Sequence, residues 1–466
     1  MSLAAPVLKR EITLLQATSI NMIDMVGIGP FVVMPLVISM MGSHLFLWAW
    51  IFGAVIAFTD GMIWSELGTK FPLAGGSYNF LKEAYGRKWG ALMSFLFVWQ
   101  TCLQAPLVVA SGAIGFAGYF GYLVPLSSLE SKMVSGTVVV LITFLLYRNI
   151  KTVGKISVLL WAGVIITILW IIISGFSHRQ VNYSLLPSGN DPPMFSMAFA
   201  LLLGQASVKT IYSYLGYYNV CHLGGEIRNP EKNIPRSIFI SIFCIAVLYL
   251  LMNISIVGVI PWQQAMNSKF IVSEFMEKIY GTRAASIATI LILWIAFASL
   301  FAVVLGYSRV PFAAAADGRF FPFFAKLHPT KDFPYYSLLF LGSTGFVFSL
   351  LFRLGDAISA ILAMRILVQF IAQAAGVVLL RRQKEPAGPY FKMWLYPLPV
   401  ILSIWIWLFV LFSTGWFSVI GLGLSLVGVI VFWFTKDLWK KDDALEMNDF
   451  LAGFPSETES ETDKKL

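Results

Sequence analysis

Apolar runs of membrane-spanning length recur along the whole chain, separated by short polar connections. A hydrocarbon core about 30 Å thick asks for about 20 apolar residues per helix. Peptide groups inside it must find partners within their own segment, which for runs of this length means helices. Twelve spans are predicted, at 14–41, 45–70, 89–123, 131–149, 154–176, 195–222, 236–260, 284–316, 335–352, 356–380, 397–414 and 416–435. Composition agrees: 58% of residues are hydrophobic and 12% charged, where a soluble domain carries about 25% charged. The expectation is an all-α integral membrane protein, with residues 1–436 forming one transmembrane domain and no sizeable soluble domain.

Charge sets the expected orientation. Of the 33 Lys and Arg, only Lys132, Arg179, Lys269, Lys278, Arg283 and Arg353 fall on the side away from the termini, and Lys209 and Arg365 within spans. The positive-inside rule then makes both termini cytoplasmic in a multi-pass protein of the plasma membrane. The net charge of +9 is an orientation signal and not a nucleic-acid footprint, because the basic residues are scattered over separate short loops. The opening MSLAAPVLKREITLLQ lacks the apolar core and small-residue site of a signal peptide. Cys102, Cys221 and Cys244 have no metal-like spacing and read as packing residues. Residues 437–466, ending GFPSETESETDKKL, read as a polar cytoplasmic tail, and Asn182-Tyr183-Ser184 as a chance glycosylation pattern. Without an HExxH, a phosphate loop or clustered ligands, and with His44, His178, His222 and His328 far apart, no enzyme, metal or cofactor is expected. Nor does the chain signal a partner subunit.

Two spans carry interruptions. In MVGIGPFVVMP, residues 25–35, Gly27, Gly29 and Pro30 fall near the middle of the first span. Helix interiors disfavour glycine by about 1 kcal/mol and proline by about 3 relative to alanine. The sixth span, QASVKTIYSYLGYYNVCHLGGEIRNPEKNIP, places Tyr214, Leu215, Gly216 and Tyr217 before Gly224, Gly225 and Pro230. If spans one to five and six to ten are repeats, of opposite orientation because each has an odd number, both breaks lie in the first helix of a repeat. Interrupted segments at matching places in two halves point to a transporter binding site. Unwinding frees peptide groups that only protein, water or a ligand can cover. A half-helix starting there offers N–H groups and a positive dipole end, and one ending there offers carbonyls. Such a pair can hold a carboxylate and an ammonium together, the head group of an amino acid.

Four segments bear on the family: VGIGPF at 26–31, SELGTKFPLAGGSYNFLKEAYG at 65–86, SYLGYYNVCHLGGEIRNPEKNIPRSI at 213–238, and GYSRVPFAAAADGRFFPFFAKL at 306–327. With them the chain resembles the amino acid–polyamine–organocation superfamily, which has the LeuT fold, and leans toward its L-type amino acid transporter-like branch. The resemblance implies two inverted five-helix repeats, about 14–176 and 195–380, plus peripheral helices eleven and twelve at about 397–435. It implies alternating access. The substrate carboxylate would meet N–H groups near Gly27, Ile28 and Gly29, and the ammonium carbonyls at Tyr214, Leu215 and Gly216. Tyr217 takes the place of an aromatic gate or pocket wall, and Gln104, Ser299 and Ile361 would set side-chain selectivity. A neutral, apolar or small amino acid is expected, by sodium-independent exchange or proton symport, so protons are a candidate partner beside the amino acid and the lipid bilayer.

Two departures from the family stand out. Pro30 follows a break in which Ile28 replaces a small residue, and Gly163 stands where several relatives carry a helix-5 lysine. The ionisable residues Asp24, Asp60, Lys209 and Arg365 fall inside spans, where a charge costs at least about 2.5–3.5 kcal/mol. Asp24, Lys209 and Arg365 are coupling or gating candidates, while Asp60 reads as packing. Glu66, Glu226, Arg228, Arg309, Asp317 and Arg319 are candidates for an inner gate of ion pairs. Two alternatives stay open: an amine or polyamine carrier using Asp24, and a sensor that binds an amino acid without moving it.

Overall fold

The structure is a computed structural model that describes residues 8–180, 193, 196–354, 361, 364–383 and 388–435, without the side chains of residues 43 and 44. The glycosylation pattern at 182–184, the tail 437–466, the His44 side chain and part of the tenth span lie outside the described residues.

Helices follow the apolar runs. In order they are α1 Leu14–Met25, α2 Gly29–Lys70, α3 Ser77–Leu123, α4 Ser128–Leu146, α5 Ile150–Ser177, α6 Met197–Tyr214, α7 Asn219–His222, α8 Pro230–Val257, α9 Trp262–Ala265, α10 Ile271–Tyr280, α11 Thr282–Tyr307, α12 Arg309–Ala316 and α13 Tyr335–Leu351. A π-helical stretch Ile366–Ala372 leads into α14 Gln373–Arg382, followed by α15 Leu398–Ser413 and α16 Trp416–Thr435. Among the described residues, seven helices are long and apolar enough to cross a bilayer. An eighth crossing arises if α1 and the first part of α2, bent by 43° across their break, count together.

Local chemistry sets several boundaries. Thr13 and Gln16 form a capping box at the start of α1, and Ser127 and Glu130 do the same for α4. Gly42, at φ 77°, kinks α2 near the predicted boundary between the first two spans. Gly86, at φ 59°, divides α3, so a short helix precedes the third span where none was expected. The sixth span is interrupted: α6 stops at Tyr214, and the one-turn α7 and a 3₁₀ turn at Gly224–Glu226 follow.

The core sits where the broken helices cross. α2 packs on α6 and α8, α1 on α5, α8 and α11, and α3 on α4, α11 and α13. α15 lies against α2, α6 and the π stretch, and α16 against α3. Large apolar side chains such as Phe144, Leu159, Ile166, Phe243, Trp405 and Phe434 stay exposed on the outer surfaces, as a lipid-facing belt requires.

Candidate functional site

The site is built by the two breaks. α1 ends at Met25, residues 26–28 are non-helical, and α2 starts at Gly29 with Pro30 in its first turn. Proline gives up no hydrogen bond there and its fixed φ suits a restart. No side chain caps α2, so its first N–H groups lack intrahelical partners. On the other side α6 ends at Tyr214, Leu215 is extended, and Gly216 adopts φ +123°. A Cβ on Gly216 would lie 2.7 Å from the Met25 nitrogen and 2.9 Å from Cγ of Asp24. Only glycine satisfies both that angle and that approach. Tyr249 of α8 ties the two ends together: its buried hydroxyl donates toward the carbonyls of Met25 at 2.8 Å and Ser213 at 3.0 Å.

A cavity of about 50 Å³ lies at the crossing. Asp24, Gly27, Ile28 and Gly29 line it from the first break, Leu215, Gly216 and Tyr218 from the second, and Ser299, Tyr307, Ile361 and Arg365 from facing helices. The Asp24 carboxylate accepts from Nδ2 of Asn219 at 2.8 Å, and that amide also donates to the Ala302 carbonyl at 2.8 Å. The Ser299 hydroxyl donates to the backbone carbonyl of Asp24 at 3.4 Å. Arg365, lining the same cavity, is only 3% exposed. Its Nε donates to Gln104 and its Nη1 to the Tyr218 hydroxyl at 2.5 Å. The Tyr307 ring lies 5.1 Å away, while Nη2 has no partner among the described residues.

Of the residues expected at the site, Asp24, Gly27, Ile28, Gly29, Leu215, Gly216, Ser299, Ile361 and Arg365 are on the cavity wall. Tyr214, Tyr217, Gln104 and Lys209 are not. Adjacent tyrosines in the turn point apart, so Tyr218 faces the cavity while Tyr217 turns to Asp60, to which it donates at 2.5 Å. The Tyr214 ring packs edge-on against Trp50 and Tyr249. Gln104 sits behind Arg365, and Lys209 is half-buried away from the lining. Ile28 lines the cavity, and its side chain packs against Gly115 of α3. The space in front of Gly163 is filled by the indole of Trp294, which donates to the Leu160 carbonyl at 3.0 Å. Tyr218, Tyr249 and Asn219 were missed by sequence reasoning. The one signal for Tyr249 is a lone phenol in an apolar run, since a buried hydroxyl needs a partner.

The end of the bundle that carries the N-terminus is shut. Arg309 and Glu226, both among the expected inner-gate residues, form a bidentate pair at 3.0 and 2.9 Å, and it is buried. Just before α1, the N–H groups of Glu11 and Ile12 donate to the Glu226 carbonyl, each at 2.9 Å, and that of Arg228 returns to Ile12 at 2.9 Å. Glu66 holds Arg381 at 2.6 Å, Asp317 pairs with Lys82 at 2.7 Å and lies 3.7 Å from Arg319, and Arg228 pairs with Glu11 at 2.8 Å.

Two interrupted helices crossing over a buried cavity, inside a bundle of apolar helices, define a multi-pass membrane transporter. The chain belongs to the amino acid permease family, whose model matches residues 12–435. The resemblance to the amino acid–polyamine–organocation superfamily is thereby borne out. The chain is similar to the serine/threonine exchanger SteT of Bacillus subtilis, 26% identical over 90% of this chain and 94% of that protein. It is also similar to the large neutral amino acids transporter small subunit 2 of Rattus norvegicus, 27% identical over 95% and 84%. The branched-chain amino acid permease BcaP of Bacillus subtilis is 23% identical over 91% and 92%. These are permeases and exchangers, so amino acid transport across a membrane is the function class.

Proposed function

We propose that the chain moves α-amino acids by alternating access across the plasma membrane, with both termini cytoplasmic, twelve spans, ten of them in inverted repeats. The observation that carries this reading is the contact of the two breaks at Gly216, which brings free N–H groups and free carbonyls to one cavity. The α-carboxylate sits on the N–H groups of Ile28, Gly29 and Phe31, where the dipole of α2 favours an anion. The α-ammonium sits on the carbonyls at the end of α6, near Tyr214 and Leu215, with the Asp24 carboxylate alongside. Tyr218 closes over it.

Arg365 sharpens the substrate class. Its buried Nη2 has no acceptor among the described residues, and a hydrocarbon side chain would leave it so, at a cost of about 1–3 kcal/mol or more. A side chain with a hydroxyl, carboxamide or carboxylate satisfies it, so acceptor-bearing amino acids fit better than the apolar ones expected from sequence. The serine/threonine exchanger among the relatives is in keeping with this. A polyamine would set a second cation against the guanidinium, which disfavours that alternative. Coupling runs by exchange or by proton symport through Asp24. Uptake and counterflow of each of the twenty labelled amino acids into proteoliposomes test the reading. Transport of at least one is expected; none transported overturns it, and binding without flux selects a sensor.

A further inference from the structure

Trp407 lies on α15, outside the broken helices, yet its ring is fully buried and it is held on two sides. Its indole Nε1 donates to Oδ1 of Asp60 at 3.3 Å. Its face stacks on Phe370 of the π-helical stretch, with centroids 3.9 Å apart and planes 10° from parallel. The Phe370 contact leads to the cavity wall in one more step, and the Asp60 contact to the unwound turn beside it. Oδ2 of Asp60 accepts from the Tyr217 hydroxyl at 2.5 Å and from Trp64 at 2.8 Å, and Tyr217 is part of the unwound turn after α6. The Phe370 ring meets the edge of Tyr218, centroids 6.1 Å apart, and Tyr218 is the cavity wall that receives Arg365.

Asp60 itself is 1% exposed and has no cation within ion-pairing distance among the described residues. Four neutral donors fill it, two on each oxygen, with Ser403 at 3.2 Å completing the set. Two of the four, Ser403 and Trp407, come from α15. A buried carboxylate needs such donors, and losing one from α15 lets it shift toward those that remain. Tyr217 would follow, and with it the peptide groups of Leu215 and Gly216.

We infer that Trp407 is a positioning residue for the substrate cavity. Through Asp60 and Phe370 it sets the unwound turn of the sixth span, so a helix outside the two repeats tunes affinity. This rests on the reading of the cavity as an amino acid site.

The test uses the purified full chain, scanning its thermal midpoint against each of the twenty standard amino acids, since a ligand of the folded state raises it. Trp407→Phe keeps the stack and removes the Nε1 donor. It is expected to raise the half-saturating concentration about tenfold, alongside a lowered ligand-free midpoint from the lost buried donor. Tyr217→Phe should do the same. The double variant should be no worse than the worse single one, because both act through one carboxylate. Trp405→Phe, on the exposed face of the same helix, is expected to change nothing. Unchanged half-saturation in Trp407→Phe, or additive effects in the double variant, overturn the inference. If no amino acid raises the wild-type midpoint, the amino acid site is refuted and the inference falls with it.

Discussion

Gly216→Ala would place a methyl group against the backbone of Met25 and the carboxylate of Asp24 at a φ that side chains avoid. The expected cost is about 2 kcal/mol or more, together with loss of substrate binding, read as a lowered thermal midpoint that amino acids no longer raise. Arg365→Leu removes the guanidinium from the cavity and frees Gln104 and Tyr218. Competition assays in proteoliposomes should then show preference moving from acceptor-bearing toward aliphatic amino acids by about tenfold, the value of one hydrogen bond to a charged group. An unchanged preference would mean that Arg365 only braces Tyr218. At this scale the sequence was informative where chemistry is intrinsic to a residue. Glycines and a proline inside an apolar run, and ionisable residues at membrane depth, are anomalous wherever they face. It was silent on facing, which is why Tyr217 rather than Tyr218 was expected on the wall.

Among the elements, α8 and the segment before α1 do work that their sequences hardly advertise. Tyr249→Phe keeps the ring packed on Trp50 and Tyr214 and deletes the hydroxyl that joins both broken helices. A loss of about 1–3 kcal/mol is expected, with weaker amino acid binding, measured by denaturation and by ligand titration of the same variant. Arg309→Ala strands the buried Glu226 carboxylate. Removing one partner of such a pair costs about 3–5 kcal/mol, so this variant should unfold at markedly lower temperature. Glu226→Gln, which keeps a hydrogen-bonding group, should lose less. The charged residues of this end were legible as a set, because the family signatures and the positive-inside rule both mark them. Which acid meets which base, and that one pair is dry, depends on how α12, the 3₁₀ turn at 224–226 and the N-terminal segment converge.

For the whole molecule, Asp24 is the test of coupling. It lies at the first break, on the cavity wall, bonded to Asn219 of α7. If proton movement accompanies substrate, Asp24→Asn should abolish the pH dependence of net uptake while amino acid exchange persists, both measured in proteoliposomes with an imposed pH gradient. PH dependence that survives the substitution would remove Asp24 from the coupling mechanism. The sequence by itself determined that this is a helical membrane protein and where most helices run, because a bilayer permits few ways to bury a peptide group. It also determined that the first and sixth spans are broken, because breakers in apolar runs need no tertiary context to be seen. Only the tertiary structure decided that the breaks touch at Gly216 and that Arg365 and Asp24 line one cavity. It alone showed that Trp407 reaches the unwound turn through Asp60. Those are contacts between residues far apart in the chain, and side-chain direction in a non-helical turn follows no period that a sequence can display.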